Sequence, residues 1–448
     1  MRLLRWLLCL FSAAGLTAVT CRAFSNGPPV QVTSVPADGG RNCTACHQTF
    51  APANSDTRGR VVVETSDYTP GVRQLIRVLV EHPEAMRWGF QLTARLAGDE
   101  TRQAGSFTFT PEIRVRCAPT GDAPCGGVQF ASHRIESTRL GTTGQAEWEI
   151  EWTPPATEEG DVVFYVAGNA ANGNFANTTD RIYTSNLRVR QLSCTVATRP
   201  TLRSVANGGS FLASLSANSM ISLFGLGFQP AGLTRTAGRA EFVDRKFPTQ
   251  LNCVAVEVGG VLAPISHVRT DQINAQLPSI PDLGNVPVRV ILNPGRPNEI
   301  RSDVAMVVVS EYSPAFFLYP GSRSIAGLFP NSNVPVASPA VVAGGRPAQP
   351  GDIVTLFGTG FGPTEPFYQA GEFALGEARI RDSFTVTVGG TQLAREDVLY
   401  GGLSPGSISG LYQFDIRLPR TLPDGDVPVV IRIGGAASDQ SVTIPVRR

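Results

Sequence analysis

Lysine is nearly missing from this chain of 448 residues: Lys246 is the only one, and every other basic side chain is arginine. Schiff-base and P-loop chemistry both need a placed amine, so neither has a foothold here. Charge of one sign is missing as well. The 38 Lys and Arg residues nearly cancel the 37 Asp and Glu residues, and the formal charge of +1 leaves no electrostatic footprint for nucleic acid or an anionic membrane surface. Only four histidines are present, which limits metal-binding combinations. No segment beyond the first 23 residues sustains a helical hydrophobic period. What the chain does have is 46 glycines, 34 prolines and 42% apolar residues, enough to bury cores between many tight turns. At ~150 residues per domain the length allows roughly three domains.

Residues 1–23 read as a secretory signal peptide. Arg2 and Arg5 precede Leu3, Leu4 and the run Trp6–Leu16, and Cys21-Arg22-Ala23 offers small residues at a cleavage site before Phe24. The apolar stretch is short for a membrane span, and a polar, Gly/Pro-rich segment follows at once. A lipoprotein reading of Cys21 lacks the usual leucine three residues earlier. The strand-like end Val442–Arg448 carries no hydrophobic tail. The expectation is therefore an exported chain with no transmembrane segment after processing: secreted, at the cell surface, or periplasmic.

Six cysteines remain after Cys9 and Cys21, an even number suited to an oxidising compartment. Cys117 and Cys125 bracket a turn-rich loop that a disulfide would staple. Cys194 and Cys253 are a distant pair able to tie a linker to a later strand. Neither pairing is fixed by sequence alone.

Strand signals dominate the chain. Glu147-Trp148-Glu149-Ile150-Glu151-Trp152 alternates strictly, as do Trp88, Phe90, Leu92 and Ala94, and Phe107 with Phe109. Residues 161–167 form a compact Val/Phe/Tyr run. In the second half four blocks recur in order. Residues 221–228 (ISLFGLGF) match 354–361 (VTLFGTGF), and 256–260 (VEVGG) match 386–390 (VTVGG). Residues 272–278 (QINAQLP) match 413–419 (QFDIRLP), and 286–288 match 427–429. The predicted class is all-β, three immunoglobulin-like sandwiches in tandem after a signal peptide. The boundaries are 1–23 for the signal, 24–192 for the first sandwich, 193–200 for a linker, and 201–310 and 311–448 for the repeated pair.

The Phe-Gly-x-Gly-Phe and Val-x-Val-Gly-Gly blocks resemble IPT/TIG-type immunoglobulin-like domains, in a stretch similar to an uncharacterised C-terminal family of secreted bacterial proteins. Residues 24–190 resemble a bacterial Reelin-type (Reeler-like, choice-of-anchor) domain. That resemblance rests on Phe24–Pro29 (FSNGPP), Cys43-Thr44-Ala45-Cys46-His47, Gly89–Leu92 (GFQL), Ser132-His133, Trp152–Pro155 (WTPP), and Asn172-Gly173-Asn174 before Asp180–Tyr183 (DRIY). It implies a sandwich fold and a surface or secreted location, with no assigned activity. The usual far-end anchor is replaced by the TIG-like pair.

Cys43-Thr44-Ala45-Cys46-His47 is the C-x-x-C-H pattern of c-type haem attachment. Two thiols at that spacing can add to the two vinyl groups of one porphyrin, and the next imidazole becomes an axial iron ligand. A Cys43–Cys46 disulfide and a zinc site are the alternatives; the second lacks an obvious further ligand pair among His82, His133 and His267. For a second iron ligand His133 is the first choice, then His82 and Met86, each set against an ordinary satisfied side chain. The loop with Asn172, Asn174, Asn177 and Asp180 reads as a hairpin turn in preference to a calcium site. Gly402-Leu403-Ser404-Pro405-Gly406 fails as a hydrolase elbow, because Pro405 supplies no N–H for an oxyanion hole. Gly358–Pro363 has the wrong glycine spacing for a nucleotide loop. The sequence thus points to a non-enzymatic exported protein. Its first sandwich would carry covalent haem c on Cys43, Cys46 and His47, with His133 opposite, for electron transfer or redox binding with an unnamed redox partner. The alternative is a surface adhesion protein for glycan or protein ligands in which Cys43–Cys46 is a staple.

Overall fold

The computed structural model describes residues 24–119, 121–122, 126–230, 232–281 and 283–448; the expected signal peptide and Cys125 lie outside them. The chain is all-β, and among the described residues the helical elements are single 3-10 turns. Three hydrophobic cores are formed in succession, drawn from residues 61–189, 205–309 and 312–446.

The N-terminal core lies between two antiparallel sheets. Its strands are β1 (Arg60–Glu64), β2 (Gln74–His82), β3 (Arg87–Leu96), β4 (Asp99–Gln103), β5 (Ser106–Phe107), β6 (Ile113–Cys117), β7 (Gln129–His133), β8 (Gly144–Thr153), β9 (Val162–Ala171) and β10 (Arg181–Val189). One sheet runs β1-β2-β8-β5; the other runs β10-β9-β3-β7-β6, with β4 added to β3. The alternation in β8 is realised directly: Ala146, Trp148, Ile150 and Trp152 point into the core, and the three glutamates point out. Trp148 packs on Phe90 at 4.8 Å and Trp152 meets Phe164 edge-on at 4.9 Å. The indole N–H of Trp148 donates to Ser137 O and that of Trp152 to Ala104 O, so the buried rings leave no donor unpaired.

Two patterns depart from expectation. Phe109 does not share the buried face of Phe107. Strand β5 ends at Phe107, and Phe109 is exposed with the Arg134 guanidinium 5.2 Å above its ring. Strand β3 is buried on both faces, not one. Its apolar side fills the core, and its polar side is covered by the segment that precedes β1.

The repeated pair shares one plan. Strands Met220–Leu226 and Ile353–Thr359 pair with Gln272–Gln276 and Tyr412–Arg417. Across each sandwich, Val254–Val258 and Phe384–Val388 pair with Gly284–Leu292 and Gly425–Ile433. The Phe-Gly-x-Gly-Phe block has a packing cause. A Cβ on Gly225 would lie 2.4 Å from the Phe228 ring, and one on Gly358 would lie 2.9 Å from the Phe361 ring. The paired glycines of Val-x-Val-Gly-Gly all have positive φ (59° and 80°, 57° and 82°), which closes a tight hairpin that other residues strain to form.

The two junctions differ in chemistry. Between the repeated sandwiches, the buried Gln276 side chain accepts from Gly371 N–H at 2.7 Å and donates to Ser409 Oγ at 3.2 Å. Phe247 stacks on Phe373 at 5.3 Å. Between the first and second sandwiches the contact is polar, with ion pairs beside hydrogen bonds such as Ser66 Oγ to Glu241 at 2.6 Å. Arg239 reaches Glu149 at 2.6 Å and Glu147 at 2.8 Å, on the outward face of β8, and Arg73 reaches Asp244 at 2.8 Å. The linker is held by a disulfide between the buried Cys194 and Cys253, 59 residues apart.

Closing a loop of that length stabilises the folded state by ~4 kcal/mol in the chain-entropy treatment. The Cys194→Ser/Cys253→Ser variant should lose up to about that much from the middle sandwich. The described tryptophans all lie in the N-terminal sandwich, so urea unfolding followed by tryptophan fluorescence should keep its midpoint while the circular-dichroism transition moves down.

Candidate functional site

The segment 24–50 lies across the polar face of β3. Three features of that face hold it. Gln91, fully buried, accepts from Val32 N–H at 3.0 Å and donates to Pro29 O at 2.9 Å. Arg95, also buried, pairs with Asp38 at 2.6 Å and donates to Glu100 O at 2.7 Å. Gly89 leaves room for the ring of His133, since a Cβ there would sit 2.6 Å from its Cε1. Within the segment, Ser34 N–H bonds Arg41 O at 2.8 Å, folding it into a narrow hairpin.

The hairpin delivers the C-x-x-C-H residues as a 3-10 turn, Cys43–Ala45. Asn42 caps it by accepting from Thr44 N–H at 2.9 Å. His47 N–H returns to Cys43 O at 3.0 Å. The loop between β9 and β10 clamps the turn from the other side. Asn177 Nδ2 donates to Cys46 O at 2.8 Å, Thr179 N–H to Thr49 Oγ1 at 3.0 Å, and the buried Asp180 carboxylate stands 2.7 Å from His47 Nδ1. Asn172 and Asn174 accept from the backbone N–H groups of Asn174 and Ala176, so this oxygen-rich loop is a run of Asx turns that serves the C-x-x-C-H turn.

Cys43, Cys46, His47 and His133 all line one cavity of about 220 Å³, with walls that include Phe24, Val32, Trp88, Phe90 and Phe175. The His133 ring stands over Gly89, with Nδ1 2.9 Å from Phe90 N and 3.1 Å from Phe90 O. Burial pushes its pKa down to about 4, so the imidazole is neutral at neutral pH. Three further polar groups face the cavity. Arg41 and Arg87 make no ion pair among the described residues, and Asn169 Oδ1 is buried without a hydrogen-bond partner. The other proposed iron ligands lie elsewhere. His82 is held by Asp56 at 3.2 Å, and burial lowers its pKa despite that carboxylate; Met86 is exposed outside the cavity lining. His267 is in the middle sandwich, 2.8 Å from Thr236 Oγ1. Among the described residues no three His, Cys, Asp or Glu side chains group as a metal ion would require.

The Cys43–Cys46 staple of the alternative reading is not formed. Cys46 is disulfide-bonded, and Cys43 is a free thiol, because the sulfur it would need is already committed. Burial pushes the Cys43 thiol up to about 12, which keeps it protonated at neutral pH. Cys117 is also disulfide-bonded; its expected partner Cys125 is outside the described residues. Ser404 follows the strand Val398–Leu403, no helix follows it, and its Oγ meets Gln413. Sequence reasoning did not single out Gln91, Arg95, Arg41, Arg87 or Asn169. The signal for Gln91 lay in the Gly89–Leu92 block, where a polar residue interrupts an apolar strand.

No family model matches the chain, and no curated protein matches it. Among solved structures, the Reelin-N domain of F-spondin aligns at 18% identity with a TM-score of 0.22, covering 34% of this chain and 97% of that one. The human F-spondin reeler domain aligns at 17% identity and a TM-score of 0.20, covering 30% and 88%. The plexin A4 extracellular region aligns at 10% identity and a TM-score of 0.20; the match covers 90% of this chain and 38% of the plexin. Scores this low establish neither family nor activity. No helix among the described residues is long and apolar enough to cross a membrane.

The contact between Gly89 and His133 gives a sharp test. Gly89→Ala should cost ~1–3 kcal/mol by overpacking. Adding His133→Ala should remove most of that increment, a coupling that a double-mutant cycle on urea midpoints measures directly.

Proposed function

We propose that this protein is a non-catalytic, extracytoplasmic binding protein whose three sandwiches present the cavity of the N-terminal domain to a ligand. One observation carries the reading: the cavity is built, apolar on its walls, and lined by Asn169 Oδ1, buried without a hydrogen-bond partner, and by Arg41 and Arg87, whose charges meet no carboxylate among the described residues. A buried polar atom without a partner is costly, so a ligand that donates to Asn169 Oδ1 is favoured. Two guanidinium groups select for carboxylates or other planar anions. The disulfide Cys194–Cys253 and the bonded state of Cys46 and Cys117 fit an oxidising compartment. Binding of this kind needs no Cys43–Cys46 staple. At about 220 Å³ the cavity is below the ~300–1,000 Å³ of pockets that engulf a ligand, so a large molecule would be only partly enclosed.

A second reading, haem c, is favoured by the lining of that same cavity by Cys43, Cys46, His47 and His133. The donor chemistry fits. His47 has Nδ1 2.7 Å from the Asp180 carboxylate, the arrangement that frees Nε2 for a metal, and His133 has Nδ1 between the N–H and the C=O of Phe90. Cys43 offers a thiol as it stands, and Cys46 does so once its disulfide is reduced. Arg41 and Arg87 would hold the propionates. Bound haem would supply one-electron transfer. The readings separate on the full chain exported from a host with haem-attachment machinery. A denaturing gel that stains for covalent haem supports the second. An unstained protein that binds anionic glycans on an array, and loses that binding at least tenfold in Arg41→Ala/Arg87→Ala, supports the first. An unstained protein whose binding ignores both arginines overturns both.

A further inference from the structure

We infer that Asp180 is a positioning residue, fixing His47 as an Nε2 electron-pair donor that faces the cavity; the inference rests on the haem reading. A carboxylate can only accept hydrogen bonds, so at 2.7 Å Asp180 Oδ2 requires the proton of His47 on Nδ1. Its second oxygen accepts Asn172 N–H at 3.3 Å, and its side chain is almost wholly buried, so water offers His47 Nδ1 no rival partner on that side. In the neutral ring the lone pair is thereby assigned to Nε2. A negative charge behind the ring also raises the donor strength of that lone pair toward a metal. His133 is built differently. Its Nδ1 faces both the N–H and the C=O of Phe90, neutral groups that accept either tautomer. The two imidazoles are therefore unequal, with the stronger donor on the side of the C-x-x-C-H turn.

A stronger axial donor stabilises ferric over ferrous iron and lowers the reduction potential. Asp180→Asn keeps the shape and an acceptor oxygen but removes the charge. In haem-loaded full-length protein it should retain the wild-type haem content by pyridine haemochrome assay and shift the midpoint potential upward. Asp180→Glu, which keeps the charge, should stay closer to wild type. A loaded Asn variant with the wild-type potential overturns the role of Asp180 and leaves the haem reading standing. A wild-type chain that never acquires haem overturns both. A measurement without haem covers the case in which the Asn variant fails to load. With four histidines in the chain, 15N spectra of histidine-labelled protein at pH 8 resolve each ring. The wild-type His47 should be in the Nδ1–H form, and Asp180→Asn should add the Nε2–H form. A wild-type His47 in the Nε2–H form contradicts the inference.

Discussion

The polar outer face of β3 sets the architecture of the N-terminal domain. A strand with Gln91, Thr93 and Arg95 on one side would ordinarily leave that side in water, yet all three are buried. They can be buried only if every polar group finds a partner. The segment 24–50 supplies partners for two of them, Val32 N–H and Pro29 O for Gln91 and the Asp38 carboxylate for Arg95, while Thr93 Oγ1 donates to Gln129 O on β7. Removing one member of a buried ion pair typically costs ~3–5 kcal/mol, because the remaining charge has no water. The fold and the placement of the C-x-x-C-H turn are thus one constraint. Without the covering segment the strand face is unsatisfied, and without the strand face the turn has no place to sit.

From that constraint the cavity follows. The hairpin brings Cys43, Cys46 and His47 beside Gly89 and His133, and the β9–β10 loop locks the turn from the far side through Asn177, Thr179 and Asp180. A cavity held by hydrogen bonds on both flanks is preorganised, so a ligand would bind without ordering its own site. The two repeated sandwiches are joined through Gln276 and the Phe247–Phe373 contact, whereas the first sandwich meets the second through exposed ion pairs. Such pairs contribute little each, and salt screens them.

Much of this was legible in the chain. The all-β class came from strict alternation in β8 and from the absence of helical periods. The internal repeat was visible because glycine under a phenylalanine ring leaves no room for another residue. Other features were hidden because they depend on distant partners. A strand buried on both faces reads as half-exposed when its cover is an irregular segment with no pattern of its own. The fate of Cys46 could not be read from its spacing to Cys43, because a disulfide depends on which sulfur lies nearest in space. Asp180 was visible only as one oxygen among several in a loop; its pairing with His47 spans more than a hundred residues.

The amide of Val32 tests the central claim most directly. If segment 24–50 is docked on β3 as described, hydrogen–deuterium exchange measured residue by residue should show Val32 N–H protected to nearly the level of Phe90 in the strand beneath it. Exchange of Val32 at the rate of an unprotected peptide, with Phe90 still protected, would mean that the segment is not held and that the cavity does not exist in solution.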